Sequence, residues 1–117
     1  MDWPHVVSYF FGGVFFANAV PHFVSGVMGE PFQSPFAKPS GKGLSSSTVN
    51  VLWSFFNIVV GYLLVFRVGD FRLEVTGDVV PFGIGILAMG LLCARLFGPL
   101  HGGQPAGQRT THMLGDE

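Results

Sequence analysis

The sequence predicts an all-α integral membrane protein with three transmembrane helices, and three observations carry that expectation. Charged residues make up 11% of the chain, against roughly 25% in soluble globular proteins. Aromatic residues reach 15%, including 13 Phe, and the mean hydropathy is +0.50. Two stretches, Trp3 to Gly29 and Gly43 to Phe66, contain no Asp, Glu, Lys or Arg. A soluble domain of 117 residues could not bury so much apolar surface, and exposed patches of that extent mean lipid or aggregation. The expected helices run over about 4–28, 47–67 and 79–98 within a domain of residues 1–101. Residues 102–117 read as a disordered polar tail.

Composition also excludes several functions. A net charge of −1 provides no basic face, so nucleic acid is not an expected partner. A single cysteine, Cys93, rules out an intrachain disulfide and a cysteine-based zinc site, and its apolar surroundings make it an inert packing residue.

The first helix is long enough to cross a bilayer, which needs about 20 apolar residues. A competing reading takes Val6 to Phe16 as the hydrophobic part of a signal peptide cut near Ala17-Asn18-Ala19. The amino end offers Asp2 but no Lys or Arg, and the apolar run continues to Val27. A retained helix is therefore expected. Ser8, Gly12, Phe15, Ala19, His22 and Gly26 recur at spacings of four and three, a stripe of mainly small residues that lets helix backbones approach closely. Pro21 removes the hydrogen bond to the Ala17 carbonyl and should kink the helix.

The first connection, Glu30 to Ser47, holds Pro31, Pro35 and Pro39 with Gly41 and Gly43, which forbid a regular helix. Phe32 and Phe36 are too apolar for a solvated linker and are expected to dip into the membrane interface or to cover the end of the bundle. Ser45 to Ser47 offer an N-cap for the second helix. The Gly41-Lys42-Gly43 sequence lacks the spacing and the flanking strand of a phosphate-binding loop.

The second helix carries Asn50, Trp53, Asn57 and Gly61 on one face, with apolar residues around most of the remainder. Such a polar seam in an otherwise lipid-compatible helix faces other helices. After a charged turn over 68–78, in which Phe71 to Val75 alternate like a short strand, the third helix begins near Val79. Pro81 falls in its first turn, where proline is tolerated, and Pro99 helps to stop it. Gly90, Ala94 and Gly98 form a ridge suited to packing within the bundle or between protomers. Arg95 can snorkel to the headgroups. Lys38, Lys42, Arg95 and Arg109 lie on one side against Arg67 and Arg72 on the other. By the positive-inside rule, this places the first connection and the carboxy terminus on the cytoplasmic side of the cell membrane.

One constellation carries chemistry. The first two helices are antiparallel, so residues at equal depth can be paired: His22 lies about 9 Å from the end of its span at 1.5 Å per residue. That is the level of Trp53 and Ser54, while Asn18 matches Asn57; if the two stripes face each other, His22 meets Asn50, Trp53 and Ser54. The cluster of Asn18, His22, Asn50, Trp53 and Asn57 supports two readings. One is interhelical hydrogen-bond glue, worth about 0.6–2 kcal/mol per pair. The other is a small-molecule or proton site, because His22 is the only ionisable residue in the apolar centre of a span. Gly12, Ala19, Gly26, Gly90, Ala94 and Gly98 are the expected packing residues.

A haem or metal site is a third possibility. His5 is about 25 Å from His22 along one helix, so only His101 could join it, and no metal or cofactor is expected. No Asp or Glu lies inside a span, which leaves no acid to orient His22 for catalysis and no charged ring for a channel. The expectation is a non-enzymatic structural or interaction protein, an accessory subunit or homo-oligomer. Its partners are then the lipid bilayer and another membrane protein or itself.

Three stretches resemble small multi-pass bacterial membrane proteins of unassigned function. They are Phe11-Gly-Gly-Val-Phe-Phe-Ala-Asn-Ala-Val-Pro-His-Phe-Val-Ser-Gly, the Pro-Phe-Gln-Ser-Pro-Phe connection and Leu-Ser-Ser-Ser-Thr-Val-Asn-Val-Leu-Trp. The resemblance covers the first two helices and their connection. It implies a multi-pass membrane fold and carries no activity, cofactor or site residue.

Overall fold

The computed structural model describes residues 2–103. It is built from three helices: α1 over Trp3–Val27, α2 over Ser47–Phe66 and α3 over Thr76–His101. Each is long and apolar enough to cross a membrane. Two short strands, β1 (Phe32–Gln33) and β2 (Leu44–Ser45), pair antiparallel within the first connection, Phe32 opposite Ser45 and Gln33 opposite Leu44. The tail expected over 102–117 lies, from residue 104 onward, outside the described residues.

The helix ends follow from local chemistry. Pro4 sits in the first turn of α1, where its missing N–H is no loss. α1 stops at Gly29, whose φ of 76° is a left-handed conformation that glycine adopts without strain. There the Gly29 and Glu30 amides donate back to the carbonyls of Gly26 and Ser25. Of the three serines expected to cap α2, Ser46 does so, its hydroxyl accepting from the Val49 amide at 3.2 Å. α3 starts three residues earlier and ends three later than expected. Pro81 and Pro99 are therefore both inside it, neither in the first turn nor at the stop. The helix continues past Pro99 to Gly102, which closes it at φ 85° with its amide donated to the Gly98 carbonyl. Phe71 to Val75 form no strand; the segment has no neighbour with which to pair.

α1 is the centre of the molecule. It packs on α2 along one side and on α3 along another, while α2 and α3 scarcely touch each other. The α1–α2 seam is the stripe read from sequence: Ser8, Gly12, Ala19, His22 and Gly26 are buried against Asn50, Ser54, Asn57, Gly61 and Val65. A Cβ on Gly12 would collide with Val65, and one on Gly26 would meet Val51 and lie 2.9 Å from the Ser47 carbonyl. Ser8 donates its hydroxyl to the Leu64 carbonyl. Close backbone approach is thus set by side-chain size, as it is in membrane helix pairs.

The α1–α3 seam decides between two placements expected for the small residues of α3. Gly13 faces the backbone of Phe82 and Ile86, and Gly85 faces the carbonyl of Phe10. By contrast, Gly90 and Ala94 are exposed, Gly98 is only half-buried, and a Cβ on Gly90 would meet nothing. The ridge of Gly90, Ala94 and Gly98 therefore does not pack within the bundle. The face of α3 turned to α1 is offset from it, through Phe82, Gly85, Met89, Cys93 and Phe97.

Candidate functional site

The polar seam of α2 becomes a site because α1 presents Asn18 and His22 at matching depth. Asn18 donates through Nδ2 to Asn57 Oδ1 at 3.0 Å. Asn57 spends its own Nδ2 on the Trp53 carbonyl of its helix, at 2.8 Å. One turn nearer the first connection, His22 Nδ1 lies 2.7 Å from Asn50 Oδ1, and both side chains are almost wholly buried, 2% and 0% exposed. All five residues expected to cluster are brought together, Trp53 standing edge-on to His22 with ring centroids 6.3 Å apart. Ser54, expected beside His22, turns instead to the Val51 carbonyl at 2.7 Å, the backbone bond that helical serines commonly make.

Asn50 is the hub. Its Nδ2 faces three carbonyls, of Phe32 at 3.1 Å, Ser45 at 3.2 Å and Ser46 at 3.0 Å. An amide nitrogen has two hydrogens to share among them, and only the nitrogen could face three acceptors. The atom turned to His22 is therefore the oxygen, which can only accept. His22 then carries its proton on Nδ1 and, when neutral, keeps its lone pair on Nε2.

Reading the chain for periodicity missed the cap on this cluster. Asn50 reaches both strands of the hairpin at once, so β1 and β2 are tied to α2 by one buried side chain. Phe32 descends between three rings: its centroid is 5.4 Å from His22, 4.9 Å from Phe97 and 4.9 Å from His101, against which it stacks. The buried Gln33 accepts from His101 Nε2 at 2.6 Å. Ser34 and Ser45 hydroxyls bond at 2.6 Å across the hairpin. Phe36 packs edge-on to Trp53 at 5.1 Å. Of the two placements expected for these rings, Phe32 is buried over the bundle end, while Phe36 stays exposed on the open side.

This arrangement also bears on the metal reading. The Phe32 ring packs against His22 and His101 alike, and His101 is committed to Gln33. Among the described residues no group of three His, Cys, Asp or Glu is placed to hold a metal ion. Cys93 is half-buried, its sulfur 4.0 Å from Asn18 Oδ1. The chemistry on offer is hydrogen bonding, nearly all of it between groups of the protein itself. Set against protein-family models, curated proteins and solved structures, the chain matches none.

Proposed function

We propose that this chain is a non-enzymatic integral membrane protein of structural or interaction type, crossing the bilayer three times as an accessory subunit or homo-oligomer. The observation that carries the reading is the one-sided packing of α3, which buries only Gly85 in 26 residues. An open layer of three helices leaves Gly90 and Ala94 uncovered, and small residues on such a face let another transmembrane helix come close. The cluster of Asn18, His22, Asn50, Trp53 and Asn57 is then the lock that holds the layer and its hairpin in register. In this reading Pro21 kinks α1 at the freed Ala17 carbonyl, and the first connection and carboxy terminus face the cytoplasm.

Cysteine cross-linking in native membranes tests it. In a Cys93→Ser background, Gly90→Cys and Ala94→Cys are expected to give a disulfide-linked dimer or a product with one discrete partner. Monomer alone at both positions overturns the reading.

A second reading, a small-molecule or proton binder centred on His22, is favoured by two nitrogens. Trp53 Nε1 is buried with no hydrogen-bond partner, and His22 Nε2 has none among the described residues. One is a donor and the other an acceptor, on neighbouring rings. His22→Leu separates the two readings: a lock loses thermal stability in detergent, whereas a binding site keeps its fold and changes its ligand or proton response.

A further inference from the structure

At the opposite end of the molecule, the start of α1 and the α2–α3 turn border a cavity of about 490 Å³ that is open to the outside. Asp2, His5, Tyr9, Asp70 and Asp78 line it, with Val6 as an apolar wall. Two of the acids have structural duties. Asp2 pairs with His5 Nδ1 at 3.3 Å, and Asp78 accepts from the Arg72 amide at 3.0 Å within the first turn of α3. Asp70 has no partner among the described residues and caps no helix. The two helix N-termini at the cavity contribute roughly +0.5 charge each, so three carboxylates leave a balance of about −2. Among the described residues no lysine or arginine lines the cavity, and Arg72 is engaged with Glu74 at 3.0 Å.

Tyr9 is the second, independent observation. It is 2% exposed, yet its hydroxyl makes no hydrogen bond among the described residues. Gly69 closes over it so tightly that a Cβ there would stand 2.5 Å from that hydroxyl, and Tyr9 lines the cavity. The ring is buried, but the hydroxyl oxygen is not among the buried polar atoms that lack a partner; its open side is the cavity that Tyr9 lines, where an entering group can meet it. The acids are too dispersed to gather round a metal ion, but the volume is that of a small-molecule site, about 300–1,000 Å³.

We propose that this cavity binds an organic cation, a primary ammonium group whose N–H donors reach Asp70 and the Tyr9 hydroxyl while its carbon chain rests on Val6. The site is separate from the His22 cluster and does not depend on the proposed assembly role. Its test uses the two tyrosines of the chain. Protein labelled with 3-fluorotyrosine in lipid nanodiscs is titrated with n-butylammonium chloride and followed by fluorine NMR, Tyr62 on α2 serving as the internal control. The Tyr9 resonance should shift saturably, the Tyr62 resonance should stay, and Asp70→Asn should weaken binding by about fivefold, the scale of one partly solvated ion pair. Four results would each overturn the proposal: no Tyr9 shift, the same shift with sodium chloride at equal ionic strength, tighter saturation by magnesium, or unchanged affinity in Asp70→Asn. Asp70 is exposed, so its variant should fold, and an unmoved Tyr62 resonance verifies that.

Discussion

Replacing Asn50 with Leu should be the most damaging single change in the polar seam. Leucine matches the lipid-compatible character of α2 and is a better helix former, so any loss must come from the bonds removed. Asn50 accepts from His22 and faces the carbonyls of Phe32, Ser45 and Ser46. The Ser46 carbonyl keeps the Asn50 backbone amide as a donor, which leaves three orphans: His22 Nδ1–H and the carbonyls of Phe32 and Ser45. At about 0.6–2 kcal/mol per bond between transmembrane helices, the loss is about 2–6 kcal/mol. Asn57→Leu is the matched comparison. Only Asn18 Nδ2 is orphaned there, because the Trp53 carbonyl retains its helical partner, so about 1 kcal/mol is expected.

Thermal unfolding in one detergent, with His22→Leu alone and combined with Asn50→Leu, measures both the ranking and the coupling. The double variant should be more stable than the sum of the two losses implies, since His22 is one of the orphans. Equal effects of Asn50→Leu and Asn57→Leu, or strict additivity with His22→Leu, would refute the reasoning.

Other perturbations follow from the same geometry. Gly85→Ala puts a Cβ against the Phe10 backbone and should lower stability by about 1–3 kcal/mol. Gly90→Ala meets nothing and should leave the protomer as stable or up to about 1 kcal/mol more so; paired melting curves compare the two. Phe32→Ala should cost about 3–5 kcal/mol, as for other buried Phe truncations, and hydrogen exchange should rise across Phe32–Ser45 before it rises in α1. His101→Ala removes the donor to Gln33 Oε1 and should release the hairpin from α3 at about 1 kcal/mol, seen as faster exchange at Gln33 with α2 unchanged.

Much of the site was legible because two rules converge on it. Helical spacing places Asn50, Trp53 and Asn57 on one face, and antiparallel depth pairs Asn18 with Asn57 and brings His22 to the neighbourhood of Asn50, Trp53 and Ser54. Both depend only on the rise per residue. What local pattern could not reveal rests on distant partners. The strands are two residues each, too short to show alternation, and exist because Asn50 and His101 hold them, His101 being 68 residues from Gln33. Which face of α3 meets α1 stays open in the sequence for a related reason. Gly85, Met89, Cys93 and Phe97 share the same spacing of four as Gly90, Ala94 and Gly98, and only contact with Gly13 and Phe10 selects between the two faces. Pro81 and Pro99 suggested boundaries that the longer helix absorbs.

The central claim is that these helices live in a bilayer, where a few uncharged polar side chains need one another. Alkaline carbonate extraction of cell membranes followed by sedimentation tests it most directly. The account predicts that the protein stays with the membrane pellet and leaves it only with detergent. Release into the supernatant as a detergent-free monomer would contradict it.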